Sequence, residues 1–375
     1  MSRLLILALC VLTALPVVLA SAALPESNSV LKGTAYIRTQ QQADGSFSGT
    51  IEQTMDAVFA FRAAGYDPAK ETVGSAGPAD YLKTKVATET RVPVLAKTAL
   101  VAKTLGLDPK AVGGVDLIAK TNAAYDAAKG TYASDDFSQS VIMLSLACTG
   151  NTVPSAASTA LKTNQLAPSG GWGFGGFADP DTSAIAVQAL LATGTPKTDA
   201  AVTKALAYFH ANQGDDGGWG FDPTESNASS TAYVVQALLA LGENPDAAAW
   251  QKGGVSPVAY LLSQQEADGS FKGFDPAFAT NQAVPALAGR TFCNAGDTAI
   301  TRTKPVVAPT AAPTRPAPTA TATSAPASPT AAPRPPATGN TPAPAEGGNA
   351  AMLIAAFAVA SGALLLLSLE RSRRH

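Results

Sequence analysis

Two kinds of helix alternate along the chain between about residues 28 and 302. Amphipathic helices such as 202–209 place Lys204 on the outer face and Leu206 and Phe209 on the inner face. Each is followed by a helix that is apolar on nearly every side, and such a helix must be enclosed by others. The enclosed helices are predicted at six places, namely 54–64, 92–105, 137–149, 182–193, 230–241 and 281–288.

A turn that contains glycine and an aromatic residue separates the two helices of each pair. It is clearest at 44–47, 170–172, 217–219 and 268–271, and a degenerate copy stands at 130–132. The turns recur roughly every 40 to 50 residues, which is the range expected of helical arrays. The longer gap before Tyr132 leaves room for one more unit with an eroded turn. The spacing therefore predicts six helical-hairpin repeats.

The balance of enclosed and half-exposed helices indicates how the repeats are arranged. Six helices of each kind fit two concentric rings, so the predicted fold class is all-α, an α6/α6 barrel (α/α toroid) over residues 28–302. The alternative is an open solenoid. Six repeats without polar capping units would then leave two apolar ends in water.

Both ends of the chain have the composition of targeting or anchoring segments. Residues 1–22 contain an apolar run and a small-residue cleavage site, which predicts a signal peptide. Residues 303–349 are rich in proline, threonine and alanine, and predict an extended stalk. Residues 350–369 carry no charge and are long enough for one transmembrane helix, and 370–375 form a basic cytoplasmic tail. We therefore expect a C-terminal anchor at the extracellular face of the cell membrane or in the cell wall.

Within the stalk, residues 335–339 resemble an LPxTG sortase signal with proline in place of leucine. Whether this segment is cleaved stays open.

The net charge restricts the possible binding partners, and the cysteine content predicts a cross-link. The formal net charge of −2 excludes the basic field expected of a nucleic-acid binder. Without the signal peptide the chain has two cysteines, Cys148 and Cys293, and in an oxidising compartment they most simply form one disulfide. The alternative is a pair of buried free thiols.

With these turns and helices, the domain resembles the α/α toroids of the squalene cyclase and protein prenyltransferase superfamily. This resemblance implies a ligand site at the mouth of the inner ring. The prenyltransferase branch needs a zinc site, and the only histidine before the tail is His210, so we expect no metal. The cyclase branch has an Asp-x-Asp-Asp motif, whereas residues 179–182 have threonine at the last position.

Two further observations argue against a cyclase. Aromatic residues make up only 6% of the chain, although carbocations need aromatic rings. The squalene-hopene type of cyclase also has two barrels, whereas this chain has one. A terpene cyclase that uses Asp181 is therefore kept as an alternative, and the hypothesis leans towards a protein without catalytic residues.

Short motifs are most similar to the cobalamin-binding α-domain of the transcobalamin and intrinsic factor family. They lie at 181–184, 227–231 and 282–292, and a glutamine also stands nine residues before Cys148. The resemblance implies that four polar residues bind the amide side chains of a corrin ring, namely Gln139, Asp181, Asn227 and Gln282. Pure helix capping by Asp181 and Asn227 is the competing explanation.

The predicted function is thus a surface-anchored, non-catalytic ligand-binding toroid with a corrinoid such as cobalamin as its leading ligand. A partner domain acting as a lid would replace the β-rich domain that cobalamin carriers have. The alternatives are the cyclase described above and a surface display scaffold.

Overall fold

The computed structural model describes residues 28–222 and 225–305. The predicted signal peptide, the 335–339 motif, the transmembrane helix at 350–369, the basic tail and nearly all of the stalk lie outside these residues. No described helix combines the length and the apolar character that crossing a bilayer requires. The compact unit that holds the helices ends at Thr303.

Helices alternate between an outer and an inner ring. The outer helices are α1 (Asn28–Thr39), α3 (Pro78–Lys85), α5 (Leu117–Asn122), α7 (Ser155–Thr163), α9 (Ala200–Asn212) and α11 (Pro257–Ser263). The inner helices are α2 (Ile51–Ala63), α4 (Val92–Thr104), α6 (Asp136–Cys148), α8 (Pro180–Ala192), α10 (Ala228–Leu241) and α12 (Pro276–Leu287). Each inner helix packs on the inner helices before and after it, and each outer helix packs on an inner one.

Short elements complete the described domain. Three single turns of 3-10 helix lie at Pro68–Lys70, Ala248–Trp250 and Ala295–Asp297. Strands β1 (Trp172–Phe174) and β2 (Phe177–Asp179) form an antiparallel hairpin that leads directly into α8, with Trp172 opposite Asp179.

The ring is closed by contacts between its first and last repeats. Helix α12 packs against both α1 and α2. The Gln53 side chain on α2 donates to Asp275 Oδ2 at 2.8 Å and accepts from Asn281 Nδ2 at 2.8 Å. On the outer side, Gln265 Nε2 donates to the Ser29 carbonyl at 2.9 Å. The predicted toroid is therefore confirmed, and the open solenoid is excluded.

The tryptophan in two of the turns ties the turn to both rings. The Trp172 amide donates to the Ser183 hydroxyl on the following inner helix at 2.9 Å, and its indole N–H donates to the Leu161 carbonyl on the preceding outer helix at 2.7 Å. Trp219 makes the same two kinds of bond one repeat later. These aromatic residues therefore hold an outer helix against the next inner helix.

Glycine in these turns is required by close backbone contact. Gly217 has a φ of +85°, and a Cβ at this position would lie 2.5 Å from the Val255 carbonyl oxygen. The turn thus approaches the start of α11 more closely than any side chain would allow.

Most inner helices begin one or more residues earlier than predicted, because capping residues start them before the apolar run does. The last one is predicted to start at 281, but Asp275 accepts hydrogen bonds from two backbone N–H groups and Pro276 supplies the first helical residue. Polar caps therefore extend the inner helices towards one face of the ring, which we call the mouth.

A closing segment, residues 290–298, lies against the opposite end of the ring. Cys293 in this segment forms a disulfide with Cys148, the last residue of α6, as predicted. Arg62 at the end of α2 donates from Nε and Nη2 to the Gly296 carbonyl at 3.1 and 3.0 Å. Phe292 is 5% exposed and packs against Phe59 of α2.

Candidate active site

Residues four apart on an α-helix share a face, and on the inner helices one such face lines the hollow of the ring. The first residues of this face remain partly accessible at the mouth, namely Glu52, Pro93, Phe137, Asp181, Ser229 and Phe278. One turn deeper, the same face presents Asp56, Lys97, Val141, Ile185, Tyr233 and Gln282. Contacts between side chains from non-adjacent helices support this orientation. For example, the rings of Phe137 on α6 and Tyr233 on α10 meet with centroids 6.4 Å apart.

Aromatic rings converge inside the ring. The Tyr233 ring lies 6.1 Å from Phe292, whose ring lies 5.3 Å from Phe59. Together with Phe137 these rings connect α6, α10, the closing segment and α2. Their electron-rich faces can stabilise a positive charge. The low overall aromatic content concealed this cluster, although its helical members, Phe59, Phe137 and Tyr233, could have been found from the helical register.

Two aspartates stand where strand β2 becomes helix α8. Asp179 is the N-cap residue, and its Oδ1 accepts from the Thr182 amide at 2.7 Å. Pro180 occupies the first helical position, where no backbone donor is needed. Asp181 follows in the first turn, and the helical register directs it towards the mouth of the hollow.

About half of the Asp181 carboxyl groups carry a proton at pH 7. Among the described residues, its Oδ1 atom is enclosed without a hydrogen-bond partner. Burial, followed by the charge of Asp179, raises the pKa of Asp181 to about 7, and the Ser230 hydroxyl acts in the opposite direction. Burial also raises the pKa of Asp179 to about 6, against the opposing bonds from Thr182. Two coupled carboxylic acids therefore stand at this end of α8.

The other three predicted site residues have partners of their own. Gln139 Oε1 accepts from the Tyr132 amide at 2.7 Å, so it serves the turn before α6. Asn227 is the N-cap residue of α10, and its Oδ1 accepts from the Ser230 amide at 2.8 Å. Because the Ser230 hydroxyl also acts on Asp181, Asn227 and Asp181 are neighbours. Gln282 lies deeper in the ring, so the four residues do not form one contiguous set.

A second polar group lies across the hollow from α8. Asp56 Oδ1 on α2 is 2.5 Å from Lys97 Nζ on α4, and Asp56 Oδ2 accepts from Gln282 Nε2 on α12 at 3.1 Å. Burial raises the pKa of Asp56, and the Lys97 ammonium group opposes this shift. Burial is also the main cause of the raised pKa of Tyr233, to which Asp56 and Asp181 both contribute. Tyr233 therefore lies within electrostatic reach of both polar groups.

No cluster of three or more histidine, cysteine, aspartate or glutamate side chains within residues 28–222 and 225–305 could hold a metal ion. Two surface depressions of about 500 and 620 Å³ lie outside the hollow, beside 211–216 and 127–131. Neither contains any residue of the two polar groups.

Comparison with known proteins finds similarity to cyclases over part of this chain. Residues 132–281, which include the Asp179–Asp181 pair, match the squalene-hopene cyclase C-terminal domain. Sporulenol synthase of Bacillus subtilis (strain 168) is 33% identical over 108 residues, covering 25% of this chain and 16% of that enzyme. The chain thus spans about a sixth of the length of this curated relative.

Solved structures give the same result for the fold. Type II terpene cyclase MstE from Scytonema superposes with a TM-score of 0.55 at 15% identity, covering 70% of this chain and 97% of that one. A substrate complex of an MstE variant with geranylgeranyl dihydroxybenzoate gives a TM-score of 0.54. A protein from Actinoplanes gives 0.50 at 15% identity. The described domain therefore has the toroid fold of the squalene cyclase and prenyltransferase superfamily.

These findings correct the predicted function. The hypothesis of a non-catalytic corrinoid binder is wrong, because the family match, the curated relative and the structural neighbours are cyclases. The motifs behind it have internal roles, as the hydrogen bonds of Gln139 and Asn227 illustrate. The likeness to cobalamin carriers consequently finds no support in these comparisons.

The inclination towards a protein without catalysis is also wrong, because the matched family domain, the curated relative and MstE are cyclases. The aromatic residues are few, but they converge in the hollow. One toroid covers 97% of MstE, so that cyclase needs no second barrel. Thr182 stands where the motif has its last aspartate, and Asp179 and Asp181 are the two acids of the motif that this chain keeps.

Proposed function

We propose that this chain is a terpene cyclase that starts cyclisation by protonating an alkene, with Asp181 as the proton donor. The single observation that carries the proposal is the enclosed Asp181 carboxyl group, whose free Oδ1 lies beside the hollow and whose pKa is about 7. The match of residues 132–281 to a cyclase domain supports it. The substrate class is a polyprenyl chain.

The proposed chemistry is an isomerisation that needs no oxidant or co-substrate. The O–H bond of the Asp181 carboxyl group breaks, and the proton joins one carbon of the terminal alkene. The other alkene carbon becomes a carbocation, which neighbouring double bonds attack in turn. Loss of a proton from the last cation forms a new alkene and ends the reaction.

The residues around Asp181 fit these steps. A pKa of about 7 leaves about half of the donor protonated at neutral pH, and an enclosed site excludes water that would otherwise capture the cations. The rings of Phe137, Tyr233 and Phe292 follow one another across the hollow, where they would stabilise the positive charge as it moves.

Thr182 takes the place of the last acid of the cyclase motif. Its amide and its side chain both bond to Asp179, which lowers the pKa of that neighbour against the effect of burial. We therefore assign Asp179 a positioning role: it starts α8 and sets the charge beside Asp181.

The test is cyclisation by the full chain of squalene and of geranylgeraniol in D₂O, with products analysed by gas chromatography and mass spectrometry. We expect a cyclic product that has gained one deuterium atom from solvent. Asp181→Asn should lower the rate by at least about 100-fold, because the general acid is lost.

The matched control is Asp135→Asn. Asp135 caps α6, and asparagine caps a helix equally well, so activity should persist. Recovery of both substrates unchanged, or full activity of Asp181→Asn, would refute the proposal.

We also propose that the domain acts outside the cell, at the membrane or the cell wall. The Cys148–Cys293 disulfide supports an oxidising compartment. Protease treatment of intact cells, followed by antibody detection of the domain, tests this location. Protection of the domain in intact cells would contradict it.

A further inference from the structure

The polar group opposite Asp181 has hydrogen-bonding capacity that no described residue uses. Helices α2 and α8 are the first and fourth of the six inner helices, so they stand across the ring from each other. The Asp56–Lys97–Gln282 cluster is built from α2, α4 and α12. Gln282 is fully buried, and among the described residues its Oε1 has no partner.

Lys97 supplies the complementary capacity. Its ammonium group donates to Asp56 and lies 5.2 Å from the centroid of the Phe292 ring, which places it against the hollow. The side chain is 19% exposed, and an ammonium group has three donors. The cluster therefore holds an unpaired acceptor, Gln282 Oε1, and a partly exposed donor, Lys97 Nζ, on the side of the ring away from Asp181.

Among the groups that an organic ligand can carry, a hydroxyl group is the smallest that uses both, since it donates one hydrogen bond and accepts others. We propose, on the basis of the proposed function, that the Asp56–Lys97–Gln282 cluster binds the hydroxyl head of an amphiphilic polyprenyl substrate. The hydrocarbon end then reaches Asp181 along the aromatic rings of Phe292, Tyr233 and Phe137.

This assignment predicts selectivity against pure hydrocarbons. A ligand without a hydroxyl group would cover Gln282 Oε1 and leave it unpaired, and sites built to bond a hydroxyl group discriminate strongly against analogues that lack it. Squalene is therefore the poorer ligand, and a hydroxyl-terminated chain is the better one.

The test measures binding rather than turnover. Geranylgeraniol and its methyl ether are titrated against the full chain carrying Asp181→Asn, and against the unmodified chain, by isothermal calorimetry. The ether keeps the chain and the acceptor oxygen but loses the donor. We expect the alcohol to bind about 10-fold more tightly or better.

Two variants locate the effect. Gln282→Met keeps the volume of the side chain but removes Oε1, so the preference for the alcohol should fall towards one. Gln188→Met is the matched control, because Gln188 is another buried glutamine with a free Oε1 but lies on α8. It should retain the preference.

Equal affinity for alcohol and ether, no binding of either, or a preference that survives in Gln282→Met would each overturn the inference. Failure of the two proposals is distinguishable. Selective binding without any cyclic product refutes the cyclase and keeps the head-group site, whereas cyclisation without selectivity does the reverse.

Discussion

Cys148, the last residue of α6, is joined by a disulfide to Cys293, which stands 145 residues further along the chain. The neighbour of Cys293 is Phe292, whose ring contacts Phe59 and Tyr233 inside the toroid. The disulfide thereby fixes one boundary of the hollow to the middle of the ring. Because of this cross-link, the closing segment forms a fixed wall of the hollow.

Replacing both cysteines by serine should lower the free energy of unfolding by about 2 to 5 kcal/mol, because a long closed loop restricts the unfolded chain. Thermal unfolding followed by circular dichroism, with and without a reductant, measures the loss. The reductant should destabilise the parent chain and leave the double variant unchanged. If the reductant destabilised the parent chain and the double variant equally, the Cys148–Cys293 disulfide would be contradicted.

Protonation of Asp181 should make stability depend on pH. Its pKa rises from 3.8 to about 7 on folding, so between these values the folded chain binds more protons than the unfolded chain. The free energy of unfolding must therefore fall as pH rises from about 4 to about 7, and Asp179 acts in the same direction up to about 6.

Asp181→Asn removes the larger of these two contributions. The variant should gain stability relative to the parent by up to about 4 kcal/mol between pH 4 and pH 8. Urea denaturation at several pH values measures the difference. A constant difference across that range would show that Asp181 ionises normally.

Replacing Phe292 by alanine tests how much its buried ring stabilises the attachment of the closing segment to the inner helices. Phe292→Ala removes a buried ring from two aromatic neighbours, Phe59 and Tyr233, and should cost about 3 to 5 kcal/mol. Phe177→Ala is the control, because that side chain is 81% exposed and its loss should change little. Calorimetric unfolding of both variants gives the comparison, and similar losses would argue against a buried Phe292.

Two substitutions of Asn227 test whether this residue caps α10 or contacts a ligand. Its Oδ1 accepts from the Ser230 amide, so Asn227→Ala should cost about 0.5 to 2 kcal/mol of stability, and Asn227→Asp should cost almost nothing. The thermal unfolding midpoints of Asn227→Ala and Asn227→Asp, each compared with that of the parent chain, measure these costs. If aspartate destabilises as much as alanine, capping is not the role of this residue.

Periodicity was sufficient to predict the fold, because an enclosed helix in every repeat leaves few arrangements other than a ring. The pairing of Cys148 with Cys293 was predicted from the cysteine count, because only these two remain without the signal peptide. The site was harder to predict. Gln139 and Asn227 have the residue types of ligand-binding positions, yet their hydrogen bonds serve a turn and a helix start, which only the coordinates reveal.

Asp181 was predicted as a site residue, but its protonation state was not. Its position in a recognisable motif was visible in the sequence, but its protonation depends on enclosure by helices far away in the chain. The low aromatic content was misleading for the same reason. A few aromatic rings are enough to line the hollow when long-range packing brings them together. Local sequence specifies caps and turns, whereas the chemistry of this hollow depends on contacts between distant repeats.

The bonds from Gln53 to Asp275 and from Asn281 to Gln53 have a consequence for how such a chain can change over time. A linear array lengthens or shortens by whole modules at small cost. Here the gain or loss of one hairpin would alter the circumference and separate these partners. Variation is therefore confined to the lining and to the connecting turns, and diversity in this architecture must come from substitution rather than from copy number.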